Sequence, residues 1–279
     1  MQTVIEPSWQ AWVTENLQRQ CSPVELCQIL KQHGFQTPQI QQLLGEAYPL
    51  EFAQTQPVID YAALAKPPLG RFHPELTIHQ VLAEPLQLYV IEDFLSANEC
   101  QQLIEITDSQ LSPSEVSHNN GDYAYRTSQT CHLVNTQHPL VDKVNEKIAR
   151  TLGIQARYAE PIQAQRYAVG QEFKEHHDYF APNTDIYERY AKDLGQRTWT
   201  FVVYLSDVVA GGATHFPIIE TAVKPKQGCA AIWNNLHPDG RPNYASLHQG
   251  MPVVQGVKYI ITKWFRERGQ GAMFYEEAD

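Results

Sequence analysis

Apolar positions along the chain fall into two regimes. Between residues 8 and 46 they recur at helical spacing. Trp9, Trp12, Val13 and Leu17 follow an i, i+3, i+4, i+8 pattern. Val24, Leu26, Cys27, Ile29 and Leu30 form a second face, with Ser22-Pro23 as cap and first-turn residue and Gly34 as its end. Ile40, Leu43 and Leu44 predict a short third helix closed by Gly45. Residues 1–48 thus read as a small helical bundle. Residues 49–85 carry Pro49, Pro57, Pro67, Pro68, Pro74 and Pro85. Each proline removes a backbone donor and fixes φ, so this stretch reads as a Pro-rich linker or a segment wrapped over the next domain.

From residue 86 onward the pattern becomes strand-rich. Strands are expected over 86–91, 123–134, 162–169, 198–205, 214–217, 229–233 and 253–265. A helix is expected over 93–107, where Ser96 and Glu99 form a capping box, and another near 139–152. The polar stretch 109–122, with Asn119-Asn120-Gly121, reads as a loop or hairpin tip. Many short strands separated by Gly, Pro, Asn and Asp predict a sandwich or barrel over 86–279.

Composition narrows the class. Hydrophobic residues make up 43% and charged residues 19%, enough for a sizeable core and against wholesale disorder. Lys and Arg number 21 against 31 Asp and Glu, a net charge of −10 that disfavours nucleic acid as a partner. No apolar run approaches the ~18 residues of a membrane span. Residues 1–17 lack a basic stretch followed by an apolar one, so neither membrane nor signal peptide is expected. Cys21, Cys27, Cys100, Cys131 and Cys229 are scattered, without a CxxC. They read as reduced thiols of a cytoplasmic protein.

The chemistry concentrates at Glu175-His176-His177-Asp178. On a strand, residues i and i+2 point the same way, so His176 and Asp178 share a face. His248, at the head of a segment running into the strongest strand of the chain, is the candidate third ligand. Two imidazoles and one carboxylate leave positions open on a metal, as in the facial triad of non-haem Fe(II) oxygenases. Alone, such an H-x-D triplet is more often a surface or satisfied histidine. Lys258 changes the balance. Ten residues after His248, it shares a strand face with Ile260, Thr262 and Trp264. An inward lysine is costly unless it meets an anion, and a dicarboxylate chelating the metal at its other end would supply one.

Several stretches together carry a resemblance. They are "YRTSQTCHL" at 125–133, "QRYAVGQEFKEHHDYF" at 165–180, "QRTWTFVVYLSDVVAGGATHFP" at 196–217, "KPKQGCAAIWNNL" at 224–236 and "LHQGMPVVQGVKYIITKWFRERGQ" at 247–270. In order and spacing they resemble the prolyl 4-hydroxylase branch of the 2-oxoglutarate and Fe(II)-dependent dioxygenases. The resemblance implies a double-stranded β-helix (jelly-roll) core with supporting helices, preceded here by the small helical bundle. It implies His176, Asp178 and His248 as iron ligands, and Lys258, Tyr167 and Thr214 as contacts of 2-oxoglutarate. Arg197 and Trp264 align with residues near a peptide substrate. Phe173 falls where a substrate-side tyrosine is usual, which removes a hydroxyl from peptide recognition.

The resemblance further implies hydroxylation of a prolyl residue, at C4, in a peptide or protein. Fe(II), 2-oxoglutarate and O2 would be consumed or held, succinate and CO2 released, and ascorbate used as reductant. The alternatives are the same chemistry on a free amino acid, a lysyl residue or a small metabolite, and a non-catalytic jelly-roll binding protein. The "HGF" at 33–35 is similar to the loop of ubiquitin-associated-type bundles, beside its plain reading as a helix cap. A protein partner for the bundle is the corresponding expectation.

Overall fold

The computed structural model describes residues 5–49, 59–114, 125–133 and 138–276. The chain divides into two compact units, Met1–Ile59 and Asp60–Asp279.

The first unit holds α1 (Pro7–Gln18), α2 (Pro23–Gln32) and α3 (Thr37–Leu44), close to the expected spans. Pro7 and Pro23 sit in the first turns of α1 and α2, where the missing N–H has no helical partner to lose. Ser22 stands at the N-cap of α2 but its side chain makes no capping bond. Before α3, the Gln36 N–H donates to Gln39 Oε1 at 2.9 Å, a cap that a search for Ser, Thr, Asp or Asn passes over. Val13, Leu26, Leu30, Ile40 and Leu44 are buried together, with Trp9 and Trp12 packed against them.

The second unit begins at Asp60, so from there on the stretch follows the reading of a segment laid over the next domain and not that of a free linker. In α4 (Tyr61–Leu64), Asp60 caps the helix by accepting from the Ala63 N–H at 2.9 Å. Trp199 Nε1 donates to Leu64 O at 2.8 Å, and Gln87 Nε2 to Ala65 O at 2.9 Å. β1 (Ile78–Leu82) pairs antiparallel with β2 (Leu88–Ile91) and lies at the end of its sheet. Prolines exclude a helix interior or a central strand, but not an edge strand beside them. Pro57 lies outside the described residues.

Further along, α5 (Ala97–Asp108) starts at the expected capping box. The Ser96 N–H donates to Glu99 Oε2 at 3.0 Å, and the Glu99 N–H to Ser96 Oγ at 3.3 Å. The described parts of 109–134 hold β3 (Ser112–Pro113) and β4 (Gln129–His132). The Asn119-Asn120-Gly121 tip and residues 123, 124 and 134 lie outside the described residues. Next come α6 (Pro139–Leu152), β5 (Gln163–Tyr167), β6 (Phe173–His176), α7 (Asp185–Tyr190) and β7 (Arg197–Tyr204). They are followed by β8 (Ala210–Gly211), β9 (Thr214–Phe216), β10 (Thr221–Val223) and β11 (Ala230–Asn234). β12 (His248–Gly250), β13 (Val253–Gln255) and β14 (Lys258–Arg266) complete the order.

The single strand expected over 253–265 is therefore two. Gly256, with φ +101°, breaks it. β13 pairs with β8, while β14 joins the main sheet between β7 and β5. Gly211 has φ +78°, and a Cβ there would stand 2.3 Å from Pro252 O, so only glycine lets these two strands approach.

Among the described residues the larger sheet runs β1-β2-β11-β7-β14-β5-β4-β3, and the smaller β10-β9-β12-β6. Tyr167, Val202, Tyr204, Trp233 and Ile260 of the first share one buried cluster with Phe216 and Val223 of the second. Phe216 meets Trp233 edge-to-face at 5.2 Å, a geometry that adds about 0.5–1.5 kcal/mol to the burial itself. Two antiparallel sheets closed over a shared core form the double-stranded β-helix (jelly-roll) fold. Phe94, just before α5, packs on Phe201 of the larger sheet with ring centroids 5.1 Å apart.

Candidate active site

A cavity opens between the sheets. Strand alternation supplies its lining: Lys258, Ile260, Thr262 and Trp264 from β14, Gln165 and Tyr167 from β5, Thr200 and Val202 from β7. The face expected for Lys258 is the face observed. The smaller sheet contributes Phe173 and His176 from β6, Thr214 from β9, and His248 and Gly250 from β12.

His176, Asp178 and His248 converge, with one potential ligand atom from each lying within 4.8 Å of the others. His176 and His248 are register partners in β6 and β12, so sheet pairing itself brings them together. The strand argument for Asp178 needs correction, since β6 ends at His176 and Asp178 stands two residues beyond it. Both imidazoles are oriented by their own backbone. His176 Nδ1 lies 2.7 Å from Lys174 O, and His248 Nδ1 lies 2.9 Å from Ser246 O. A proton on each Nδ1 leaves both Nε2 lone pairs directed at Asp178, 3.8 Å from Oδ1 and 3.7 Å from Oδ2. Phe173 stacks on His176 at 3.6 Å, and Trp233 meets His248 at 4.8 Å.

Electrostatics favour the same assignment. Burial, then the neighbouring His248, pushes His176 well below its ordinary pKa, so it stays neutral. Burial opposes the charge on Asp178. His248, His176, Arg197 and a hydrogen bond from Thr200 outweigh it and hold the carboxyl at about 2. Two imidazoles and a carboxylate are a donor set that fits a divalent non-haem metal with open positions.

Lys258 is 1% exposed. Among the described residues no carboxylate pairs with it, and burial brings its ammonium from 10.5 down to about 7. Its Nζ lies 5.1 Å from the Tyr167 ring centroid and 5.8 Å from that of Tyr204. The Tyr204 hydroxyl donates to Thr214 Oγ1 at 2.8 Å, fixing a third polar group at this end.

The substrate-side residues divide. Phe173 and Trp264 line the cavity, and the buried Trp264 Nε1 has no partner among the described residues. Arg197 is not in the lining. Its Nε and Nη2 fork onto the Glu160 carboxylate at 2.6 and 2.7 Å, and its guanidinium stacks on Trp264 at 4.0 Å. Arg266 Nη1 joins the same carboxylate at 2.7 Å.

Sequence reasoning missed several members. Arg126 lines the cavity, holds Gln163 Oε1 at 2.9 Å and lies 4.8 Å over the Phe173 ring. Its stretch carries the resemblance, yet no local pattern marks an arginine as inward. Thr200, Tyr204 and Trp233 are inward by alternation on strands already expected, which is the signal that could have found them.

Comparison with known proteins accords with this geometry. A family model, the 2OG-Fe(II) oxygenase superfamily, matches residues 162–266. A probable prolyl 4-hydroxylase 4 of Arabidopsis thaliana is 32% identical over 212 residues, covering 67% of this chain and 69% of that protein. Prolyl 4-hydroxylase subunit alpha-1 of Gallus gallus is 34% identical over 183 residues, 64% of this chain. The chain spans only 35% of that subunit's length. Among solved structures, the viral collagen prolyl hydroxylase of Paramecium Bursaria Chlorella virus-1, as its 2OG complex, aligns with a TM-score of 0.52 and 28% identity. That alignment covers 64% of this chain and 95% of the viral one. The chain belongs to the 2OG-Fe(II) oxygenase superfamily, within its prolyl 4-hydroxylase branch.

Proposed function

We propose that the protein is an Fe(II)- and 2-oxoglutarate-dependent dioxygenase that hydroxylates a prolyl residue, at C4, in a peptide or protein. The observation that carries this reading is Lys258. A buried ammonium with no carboxylate partner among the described residues shares one cavity with His176, Asp178 and His248. An anion that also ligates a metal satisfies both ends at once.

In this reading His176 Nε2, His248 Nε2 and the Asp178 carboxylate would hold Fe(II). Lys258 would take the distal carboxylate of 2-oxoglutarate, with Tyr167 and Thr214 as hydrogen-bonding groups beside it. Bound there, the ion and the co-substrate would supply the oxidising chemistry, with one oxygen atom of O2 going to succinate as CO2 is lost and the other to the substrate C–H. The remaining work is orientation and exclusion of water. A shift of about 1 Å in the substrate costs on the order of 100-fold in rate. Trp264, braced by Arg197, and Phe173, braced by His176, are the rigid walls against which a peptide would lie. Ascorbate is the proposed reductant for oxidised iron. Cys100, Cys131 and Cys229, buried thiols outside any disulfide, support a reducing, cytoplasmic setting.

The test is incubation with Fe(II), 2-oxoglutarate and proline-rich peptides. Succinate release, together with a peptide mass gain of one oxygen localised to proline, is the expected result. Succinate without peptide oxidation would reject the prolyl substrate and keep the oxygenase. Absence of both would reject the oxygenase.

A further inference from the structure

The hydrogen bond from Thr200 to Asp178 does not stand alone, for Asn235 lies behind it and the two form a chain that ends on the Asp178 carboxylate. The Thr200 hydroxyl donates to Asp178 Oδ2 at 2.7 Å, and Asn235 Nδ2 donates to Thr200 Oγ1 at 2.8 Å. Thr200 and Asn235 are 0% exposed and Asp178 is 5% exposed. The polarity of this chain is forced. An ionised carboxylate only accepts, so the single Thr200 proton is committed to Asp178, and Thr200 must itself accept from Asn235. Keeping that polarity leaves Asn235 Oδ1 buried without a partner among the described residues. A flipped amide would turn that acceptor toward the Thr200 hydroxyl and take the proton away from Asp178. The fold therefore carries an orphaned acceptor in exchange for a directed donor.

The backbone holds the relay rigidly. Thr200 pairs in register with Trp233 across β7 and β11, the Asn235 N–H donates to Thr198 O at 2.7 Å, and the Asn243 N–H donates to Asn235 O at 2.8 Å. The relay thus ties the carboxylate to the central strands of the larger sheet, while the two imidazoles are tied to the smaller sheet.

We propose that Thr200 and Asn235 are positioning residues for the metal-binding carboxylate: they fix the rotation of Asp178 so that Oδ1 is presented toward His176 while Oδ2 stays bound to Thr200. This rests on the metal reading of the triad. Without the relay the Asp178 carboxylate rotates about its terminal bond, and both metal affinity and coordination geometry degrade. Loss of such an orienting bond typically weakens metal binding about 10- to 100-fold.

The test is Co(II) binding to the full chain, followed by calorimetry and by the visible absorption of the bound ion. Thr200→Val keeps the shape and the strand preference and removes the hydroxyl. It is expected to bind Co(II) about 10- to 100-fold more weakly with an altered spectrum, at wild-type circular dichroism. Thr200→Ser restores the hydroxyl and is expected to recover both. Asn235→Ala leaves the hydroxyl but frees its orientation, with a smaller loss in the same direction. This variant carries the test should Thr200→Val not fold. Wild-type affinity and spectrum in a folded Thr200→Val, or in Asn235→Ala, would overturn the relay. Failure of the wild-type chain to bind Co(II) would instead overturn the metal reading on which it rests.

Discussion

Lys258 and Tyr167 are direct register partners at the cavity end of β14 and β5, and the ammonium of one lies 5.1 Å from the ring centroid of the other. A cation over a phenol ring recovers about 0.5–2 kcal/mol, which does not restore the hydration of a fully buried ammonium. The shift to about 7 records the deficit. The arrangement is therefore strained toward an anion. Lys258→Met removes both the cost and the anchor. The ligand-free variant is expected to melt at a higher temperature than the wild type, because an apolar stem of similar length fills the site. Its KM for 2-oxoglutarate is expected to rise about ten- to a hundred-fold, the worth of a charge-assisted hydrogen bond. A variant with unchanged KM places the anchor elsewhere.

The same residue dictates a pH dependence. Below pH 7 the ligand-free Lys258 already carries its proton. Above it the amine is neutral, and binding a dicarboxylate must take a proton up as the paired ammonium returns toward its ordinary 10.5. Affinity for 2-oxoglutarate should accordingly weaken with rising pH, approaching tenfold per unit above about pH 7. Calorimetry with Mn(II) in place of Fe(II), from pH 6 to 9 in buffers of different ionisation enthalpy, measures both the slope and the proton taken up. A flat profile would remove Lys258 from the binding step.

Asp178 serves the site more than the fold. Its carboxylate accepts from Thr200, and its backbone O lies 3.5 Å from Arg197 Nη1, a contact that a side-chain substitution leaves in place. Asp178→Ala strands one buried hydroxyl, at about 1–3 kcal/mol, and is expected to stay folded. Succinate release from 2-oxoglutarate should fall to background. Turnover at wild-type rate in the folded variant would refute the ligand assignment.

The legibility of this chain follows physical range. His176, His248 and Lys258 were readable because strand alternation and the cost of burying charge act within a few residues. Strand alternation does not reach Asp178, since β6 ends at His176, yet both residues line the cavity. The Thr200–Asn235 bond spans 35 residues and depends on the register of β7 against β11, which no local pattern states. The break at Gly256 shows the same limit, because an apolar run on both sides of a glycine reads as one strand until two different partners claim its halves. Residues 60–85 stay open between two readings for a related reason. Prolines report what a segment does not form, whereas the bonds from Trp199 and Gln87 that hold it come from the far side of the domain.

Glu160 is the residue whose importance only the fold reveals. It precedes β5 in an irregular stretch, and its single carboxylate takes both Arg197 and Arg266. Burial opposes its charge, but the two guanidiniums prevail and hold the carboxyl below its ordinary value. Arg197 in turn stacks on Trp264, so the wall of the cavity rests on this acid. Glu160→Gln leaves two guanidiniums with a neutral acceptor in a site only 20% exposed. Removing one partner from such a buried cluster costs about 3–5 kcal/mol, far more than the same change at a surface ion pair. The sign with pH also follows: a depressed carboxyl adds stability above its unfolded pKa, and that stability is lost as pH falls through the folded value. The wild type should therefore lose stability steeply in acid, and Glu160→Gln should start lower and fall less. Urea midpoints across pH 3 to 7 measure both, and parallel curves for the two proteins would show that the cluster carries no net charge energy.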